Sequence, residues 1–269
     1  MSEPPTPGHG SVPRDADWFE DWFASEFYLK LYSHRDHDEA EACIDLILRS
    51  TGLDAEPRGL RRALDLASGP GRHAISLARR GFDVTAVDLS PTLLRHARSE
   101  AEAAGVTIEF IESDMRAIEF AGAFDLGVQL FTSFGYFDDE ADDRLVLRHM
   151  RQSLRDGGHY ALDLINEEYL RHNLVPQSTR SIDGIIALEE RWIGDGRINK
   201  RITIPTGSSG EDEAGPLRFS ESVRLFSAPT IERMLLDADL TPAHWFGDYD
   251  GSPYDAMASK RMIVICRAG

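Results

Sequence analysis

Leu64-Asp65-Leu66-Ala67-Ser68-Gly69-Pro70-Gly71-Arg72-His73-Ala74 is the stretch that decides the fold. A short apolar run over residues 63–67 meets two glycines, after which Ile75, Leu77 and Ala78 resume helical spacing up to Gly81. That order reads as strand, tight turn, helix. Glycines at such a turn let the backbone approach a ligand closely and leave the first N–H groups of the helix facing it. The spacing Gly69-x-Gly71-x-x-Ala74 also satisfies a dinucleotide fingerprint, so the turn alone does not name its ligand.

Outward from the turn, residues 84–87 form a second buried strand. Ser90 is placed as an N-cap and Pro91 at the first helical position, with Leu94, Ala97, Ala101 and Ala104 on one face. Further strands are expected at 107–111, 124–130 and 160–165, with a helix through Leu147, Met150 and Leu154 closed by Gly157 and Gly158. Repeated βα units predict an α/β fold, a doubly wound, mostly parallel sheet whose ligand crevice lies at the carboxyl ends of its strands. A helix opened by Pro229 and closing strands at 243–249 and 261–266 bring the count to seven. Between them the apolar residues alternate at 188–193, at Ile198, Ile202 and Ile204, and at Phe219, Val223 and Leu225. This predicts an inserted antiparallel β subdomain on the substrate side, with a mobile Gly-, Ser- and acid-rich tip at 206–215. The chain divides into a Pro-rich disordered tail (1–14), an N-terminal helical lid (15–55), a cofactor-binding core (56–168), the insert (169–226) and a closing helix with strands (227–269).

Among 269 residues, 42% hydrophobic, no apolar run is long enough to cross a bilayer, and the first residues lack the apolar segment of a signal peptide. A cytoplasmic protein with no membrane partner is expected. Cys43 and Cys266 stand at opposite ends, and His34 and His37 have no further ligand near them, so neither disulfide nor metal is expected. Forty-six acidic against 29 basic residues give a charge of −17, which repels phosphate backbones and argues against nucleic acid as a partner. The lysines are Lys30, Lys200 and Lys260, and an acidic, Lys-poor chain suits a high-salt host.

Three acids narrow the ligand. Asp88 ends the second strand about twenty residues past the turn, where a carboxylate accepts from both hydroxyls of a ribose. Asp65 lies inside the first strand, where a buried carboxylate suits a ligand carrying an ammonium group. Asp114-Met115 follows the third strand at the height of an adenine, where Asp114 either accepts from an exocyclic amine or caps a helix.

At these residues the chain resembles the class I S-adenosylmethionine-dependent methyltransferases of small-molecule type, over roughly residues 40–166 and the closing strands. The resemblance implies a Rossmann-like methyltransferase fold, with S-adenosylmethionine as cofactor and S-adenosylhomocysteine as product. It implies that 64–71, with Asp65, Ala67, Gly69 and Gly71, holds the methionine part. Asp88 would hold the ribose with Leu89 beside the adenine, and Asp114 and Met115 would meet the adenine edge. Leu130 and Phe131 open a segment running to Tyr136 that would form the floor under the sulfonium. Tyr28 and Tyr32 resemble a lid that closes over the cofactor. Ser68 stands where the family often has Cys. The Asn/Asp-Pro-Pro-Tyr motif of the branches that methylate DNA amino groups and protein glutamine is missing after the fourth strand, which leaves a small-molecule acceptor, methylated on nitrogen or oxygen.

Two other readings fit part of the pattern. An NAD(P)-dependent oxidoreductase reuses the turn and Asp88 but gives Asp65 and Asp114-Met115 no role. A non-catalytic nucleoside-binding member of the fold has no use for an insert that roofs an acceptor site. Candidates for taking a proton from the acceptor are Tyr136, His244, Asp248 and Glu221. The turn at 247–254 either borders the acceptor cavity or is a plain connection. The aromatic cluster of Trp18, Phe19, Trp22, Phe23 and Phe27 either packs on its own chain or permits a homodimer contact.

Overall fold

The structure is a computed structural model that describes residues 18–32, 37–54, 61–182, 184–205 and 215–269. The expected tail at 1–14, His34 and the insert tip at 206–214 lie outside the described residues. In chain order the elements are α1 (Trp18–Ala24), α2 (Glu26–Leu31), α3 (His37–Thr51), β1 (Arg61–Leu66), α4 (Arg72–Arg79), β2 (Phe82–Asp88), α5 (Pro91–Ala103), β3 (Glu109–Glu112), β4 (Phe124–Gln129), α6 (Glu140–Ser153) and β5 (Leu154–Ile165). There follow α7 (Glu167–Asn173), β6 (Gln177–Ile182), β7 (Ile185–Gly194), β8 (Arg197–Ile204), β9 (Leu217–Arg224), α8 (Ala228–Leu236), β10 (Leu240–Phe246) and β11 (Arg261–Ala268).

The main sheet has seven strands in the order β10-β11-β5-β4-β1-β2-β3. Strands β1 to β5 pair in parallel, and β11 runs antiparallel to both of its neighbours. The order reverses between β1 and β4, which opens a crevice at their carboxyl ends. Strand β4 is buried along its whole length, as a central strand covered on both faces must be. The insert is a four-stranded antiparallel sheet, β6-β7-β8-β9.

Local chemistry sets the element starts. The Ser90 side chain accepts from Leu93 N–H ahead of Pro91, so α5 begins where expected. Asp139 caps α6 by accepting from Ala141 N–H, and Glu140, Asp142 and Asp143 sit in the first turn, where acids favour the positive helix end. Gly71 starts α4 at φ 81°, and a Cβ there would stand 2.8 Å from the Ala97 Cβ, so this glycine lets α4 close on α5.

The structure also departs from the expected elements. The segment expected as one lid breaks at Ser25, whose side chain accepts from Phe27 N–H and starts α2. Helix α3 packs on α4 and β11 as a layer of the core, so α1 and α2 are the part that lies over the crevice. Strand β6 and helix α7 carry no apolar periodicity: Gln-Ser-Thr-Arg-Ser-Ile becomes a strand by pairing with β7 at the sheet edge. Among the described residues, no helix is long and apolar enough to cross a membrane.

Candidate active site

A cleft of about 820 Å³ opens at the carboxyl ends of β1, β2 and β4. From the first turn come Ala67 and Gly69, both in the left-handed region at φ 56° and 55°, and a Cβ on Gly69 would meet nothing within 4 Å. Arg72 and His73 at the start of α4 complete this wall. Gly71 does not line the cleft, because its role is the contact with Ala97.

Asp88 and Leu89 line the cleft at the end of β2. The Asp88 carboxylate accepts from Gly69 N–H at 2.7 Å and from Ser90 N–H at 2.8 Å, which ties the glycine turn to β2. Burial pushes its pKa up, against the backbone N–H groups of Ser90, Gly69 and Leu89. Asp65 sits inside β1 beneath the turn rather than on the cleft wall. Burial, and then the charge of Asp88, push Asp65 up to about 8, although Ala74 N–H donates to it, and its Oδ2 has no hydrogen-bond partner. Asp114 and Met115 line the far end. Partial burial raises the Asp114 pKa, but Arg116 outweighs it through bonds of 2.6 and 2.7 Å from guanidinium and backbone, so the carboxyl stays below its usual range. Asp114 therefore closes an Asx turn and holds an arginine, which leaves less of it for an adenine amine.

The floor follows β4. Leu130 is buried, and Phe131 and Thr132 both take positive φ, 58° and 64°. Asp163 on β5 holds this strained pair: its carboxylate accepts from Phe131 N–H at 2.9 Å and its backbone carbonyl from Thr132 N–H at 3.0 Å. Arg261 grips the same carboxylate through two nitrogens at 2.6 and 2.7 Å, and Tyr249 OH donates to it at 2.7 Å. Sequence reasoning missed Asp163, and the available signal was a lone acid near the end of the apolar strand Ala-Leu-Asp-Leu-Ile.

Beneath the insert lies a second chamber of about 1410 Å³. Phe23, Tyr28, Phe131 and Tyr136 border both spaces and stand at the boundary between them. Tyr32 belongs to this chamber and not to the cleft. Its OH donates to Glu221 at 2.6 Å and accepts from Lys200 Nζ at 2.7 Å. Behind Lys200, Glu189 is pushed up by burial but pulled to about 2 by Lys200, Ser178 and Arg191, so it is a carboxylate at all ordinary pH.

Of the four candidate proton acceptors, Tyr136 and Glu221 reach the chamber. His244 is exposed on β10, the outer strand, with β11 and β5 between it and the cleft, and it stacks on Phe246. Asp248 accepts from Tyr249 N–H and lines neither space. The turn at 247–254 is a packed connection, with Tyr249 on Asp163 and Tyr254 OH donating to Asn166 at 3.2 Å. The lid aromatics pack on their own chain, Trp18 and Phe19 against Tyr136 and Trp22 against Phe219 at 4.7 Å between centroids.

Residues 63–158, which run from β1 through the glycine turn and β4 into β5, match the profile of a methyltransferase domain family. Over these residues the chain carries a methyltransferase domain. A putative methyltransferase of Geobacillus sp. (strain WCH70) is 31% identical over 146 residues, 54% of this chain and 58% of that protein. The chain spans between about half and three fifths of the length of the curated relatives it matches first. Two solved structures share the fold at 20% identity. An S-adenosylmethionine-dependent methyltransferase from Clostridium acetobutylicum ATCC 824 has a TM-score of 0.73 over 90% of this chain and 96% of that one. A sugar N-methyltransferase from Streptoalloteichus sp ATCC 53650 has a TM-score of 0.67 over 100% and 98%. The methyltransferase domain match ends at Gly158, so Asp163, the insert and the lid that frame the chamber lie outside it.

Proposed function

We propose that the chain binds S-adenosylmethionine in the cleft and transfers its methyl group to a nitrogen or oxygen of a small molecule seated in the chamber. The observation that carries this reading is the shared boundary: Phe23, Tyr28, Phe131 and Tyr136 border both spaces, so a ligand in each would lie side by side across these four rings. The cleft fits the cofactor on three counts. Gly69 leaves open space beside the backbone, Asp88 is fixed where a ribose would reach it, and Asp65, buried beneath the turn and outside the cleft lining, puts a carboxyl below the site that would favour an ammonium group by charge rather than by contact.

When bound, the cofactor supplies a methyl group on a sulfonium. The chain's task is alignment, and positioning alone is worth effective molarities of about 10⁵ M or more. Asp163 and Arg261 hold Phe131 between the two spaces, where the Arg72 and Arg261 guanidinium groups lie over its ring at 5.6 and 5.1 Å from the centroid, and the Phe131 and Tyr136 rings exclude water there. An acceptor bearing N–H or O–H must lose a proton, and Glu221 and Tyr32 stand on the chamber wall to hold it. A small acceptor and a cytoplasmic location accord with a charge of −17. A homodimer is not part of this reading, since the lid aromatics are consumed by packing within the chain. The nicotinamide reading leaves both the Asp65 oxygen and the chamber without a task.

Isothermal titration with S-adenosylmethionine, S-adenosylhomocysteine and NAD tests the reading. The first two bind, NAD does not, and Asp88→Ala weakens both at least tenfold, about the value of hydrogen bonds to a charged acceptor. Binding of NAD in place of S-adenosylmethionine and S-adenosylhomocysteine overturns it.

A further inference from the structure

Strand β9 alternates its side chains between two faces. Phe219, Glu221 and Val223 share one face, and Glu221 and Val223 line the chamber. On that face Phe219 lies tilted against Trp22 at 4.7 Å between centroids, and Glu221 Oε1 accepts from Trp22 Nε1–H at 2.8 Å and from Tyr32 OH at 2.6 Å. One carboxylate oxygen thus holds a residue from α1 and the residue that ends α2. Trp22 is fully buried, so its N–H has no water to turn to if that acceptor is lost. Lys200 lies directly across the ladder from Glu221; its Nζ pairs with Glu189 at 2.7 Å, donates to the Tyr32 oxygen at 2.7 Å and stands 3.8 Å from Glu221 Oε2.

The same lid is also tied to the core where Ser90 Oγ donates to the Phe23 carbonyl at 2.7 Å, and to the insert where Arg180 donates to the Leu31 carbonyl at 3.4 Å. Between these ties lie Phe19, Phe23 and Tyr28, the lid side chains that wall the cleft. The lid is therefore a short double helix pinned at one side to the cleft edge beside Asp88 and at the other to a carboxylate inside the chamber.

We propose that Glu221 is a positioning residue that holds the α1–α2 lid closed over the cofactor from within the acceptor chamber. The inference rests on the cofactor reading above. It gives the insert a task at the cleft it does not line: the wall beside the cofactor is set by a side chain that the acceptor also meets. Cofactor release and acceptor occupancy are then coupled through one group, and an acceptor that engages Glu221 bears on the latch directly.

Stopped-flow release of S-adenosylhomocysteine from the full chain tests this. Glu221→Ala removes the shared acceptor and speeds release about tenfold or more, while Glu221→Gln, which keeps an oxygen for Trp22 and Tyr32, stays within about threefold of the parent. That rescue separates a latch from general loss of structure, and ligand-free melting of each variant reports the latter. Should Glu221→Ala fail to fold, Tyr32→Phe keeps the ring, removes one of the two donors and speeds release by a smaller factor. Parent-like release from the folded variants overturns the latch while leaving the cofactor reading intact. Failure of the parent chain to bind S-adenosylhomocysteine at all overturns both.

Discussion

Burial, and after it the charge of Asp88, raise the Asp65 carboxyl, whose pKa stands near 8 against 3.8 for an ordinary carboxyl. A raised carboxyl favours the folded state while protonated, so its contribution to stability is complete below about pH 4 and is lost as pH rises through about 8. An ammonium placed beside Asp65 reverses that preference and drives the proton off. Binding of S-adenosylhomocysteine at pH 7 is therefore expected to release a proton from Asp65, read as a difference in observed enthalpy between phosphate and Tris buffers that shrinks in Asp65→Asn. Equal buffer dependence in parent and variant would assign the proton elsewhere. The two turn glycines separate by a similar argument. Gly71→Ala sets a methyl 2.8 Å from Ala97 in a left-handed backbone and is expected to cost about 2–3 kcal/mol in denaturant unfolding. Gly69→Ala meets no atom and costs about 1 kcal/mol from its backbone angle, yet it loses more ligand affinity because it faces the cleft.

At the level of elements, the insert grips the active-site floor. Arg197 at the start of β8 is almost wholly buried and donates to the carbonyls of Gly135, Tyr136 and Phe137 at 2.8–3.0 Å and to Ser222 at two atoms. Arg197→Met takes a donor from each of those carbonyls, although Arg224 still donates to Gly135 and Phe137, and is expected to lower unfolding free energy by roughly 2 kcal/mol, measured by urea titration. The carbonyls it holds belong to a strand-end loop that no local pattern marks as an arginine site. Such partners were beyond sequence reading for a physical reason. The β1–α4–β2 unit is legible because burial writes an apolar run and the turn demands glycine, and Asp88 is legible because it ends a strand at a set distance. Tyr32 and Glu221 are 189 residues apart and meet through tertiary packing, so neither carries a local signal of the other. Strand β6 is polar because its order comes from backbone pairing, and Asp163 hides in a strand whose other residues read as core. His244 reads as a strand residue near the sheet, but only the strand order places it on the outer edge.

Across the whole molecule a charge of −17 repels itself. Raising ionic strength from about 0.01 to 0.15 M cuts the screening length from about 30 to 8 Å, so the melting temperature is expected to climb over that range in calorimetry. A flat or falling curve would count against a host rich in salt. The strand order carries a consequence of a different kind. Strand β10 touches the main sheet only through β11, yet β11 comes later in the chain. A ribosome therefore delivers β10 before it has anywhere to bind, and α8, packed on α6, is what keeps that segment near its place. Until residues 261–268 emerge, β5 shows a bare edge, and Asp163 on that edge waits for Arg261 before the floor beneath it is secured. The site is thus among the later parts of the protein to be finished, although the residues that name it are among the earlier ones made.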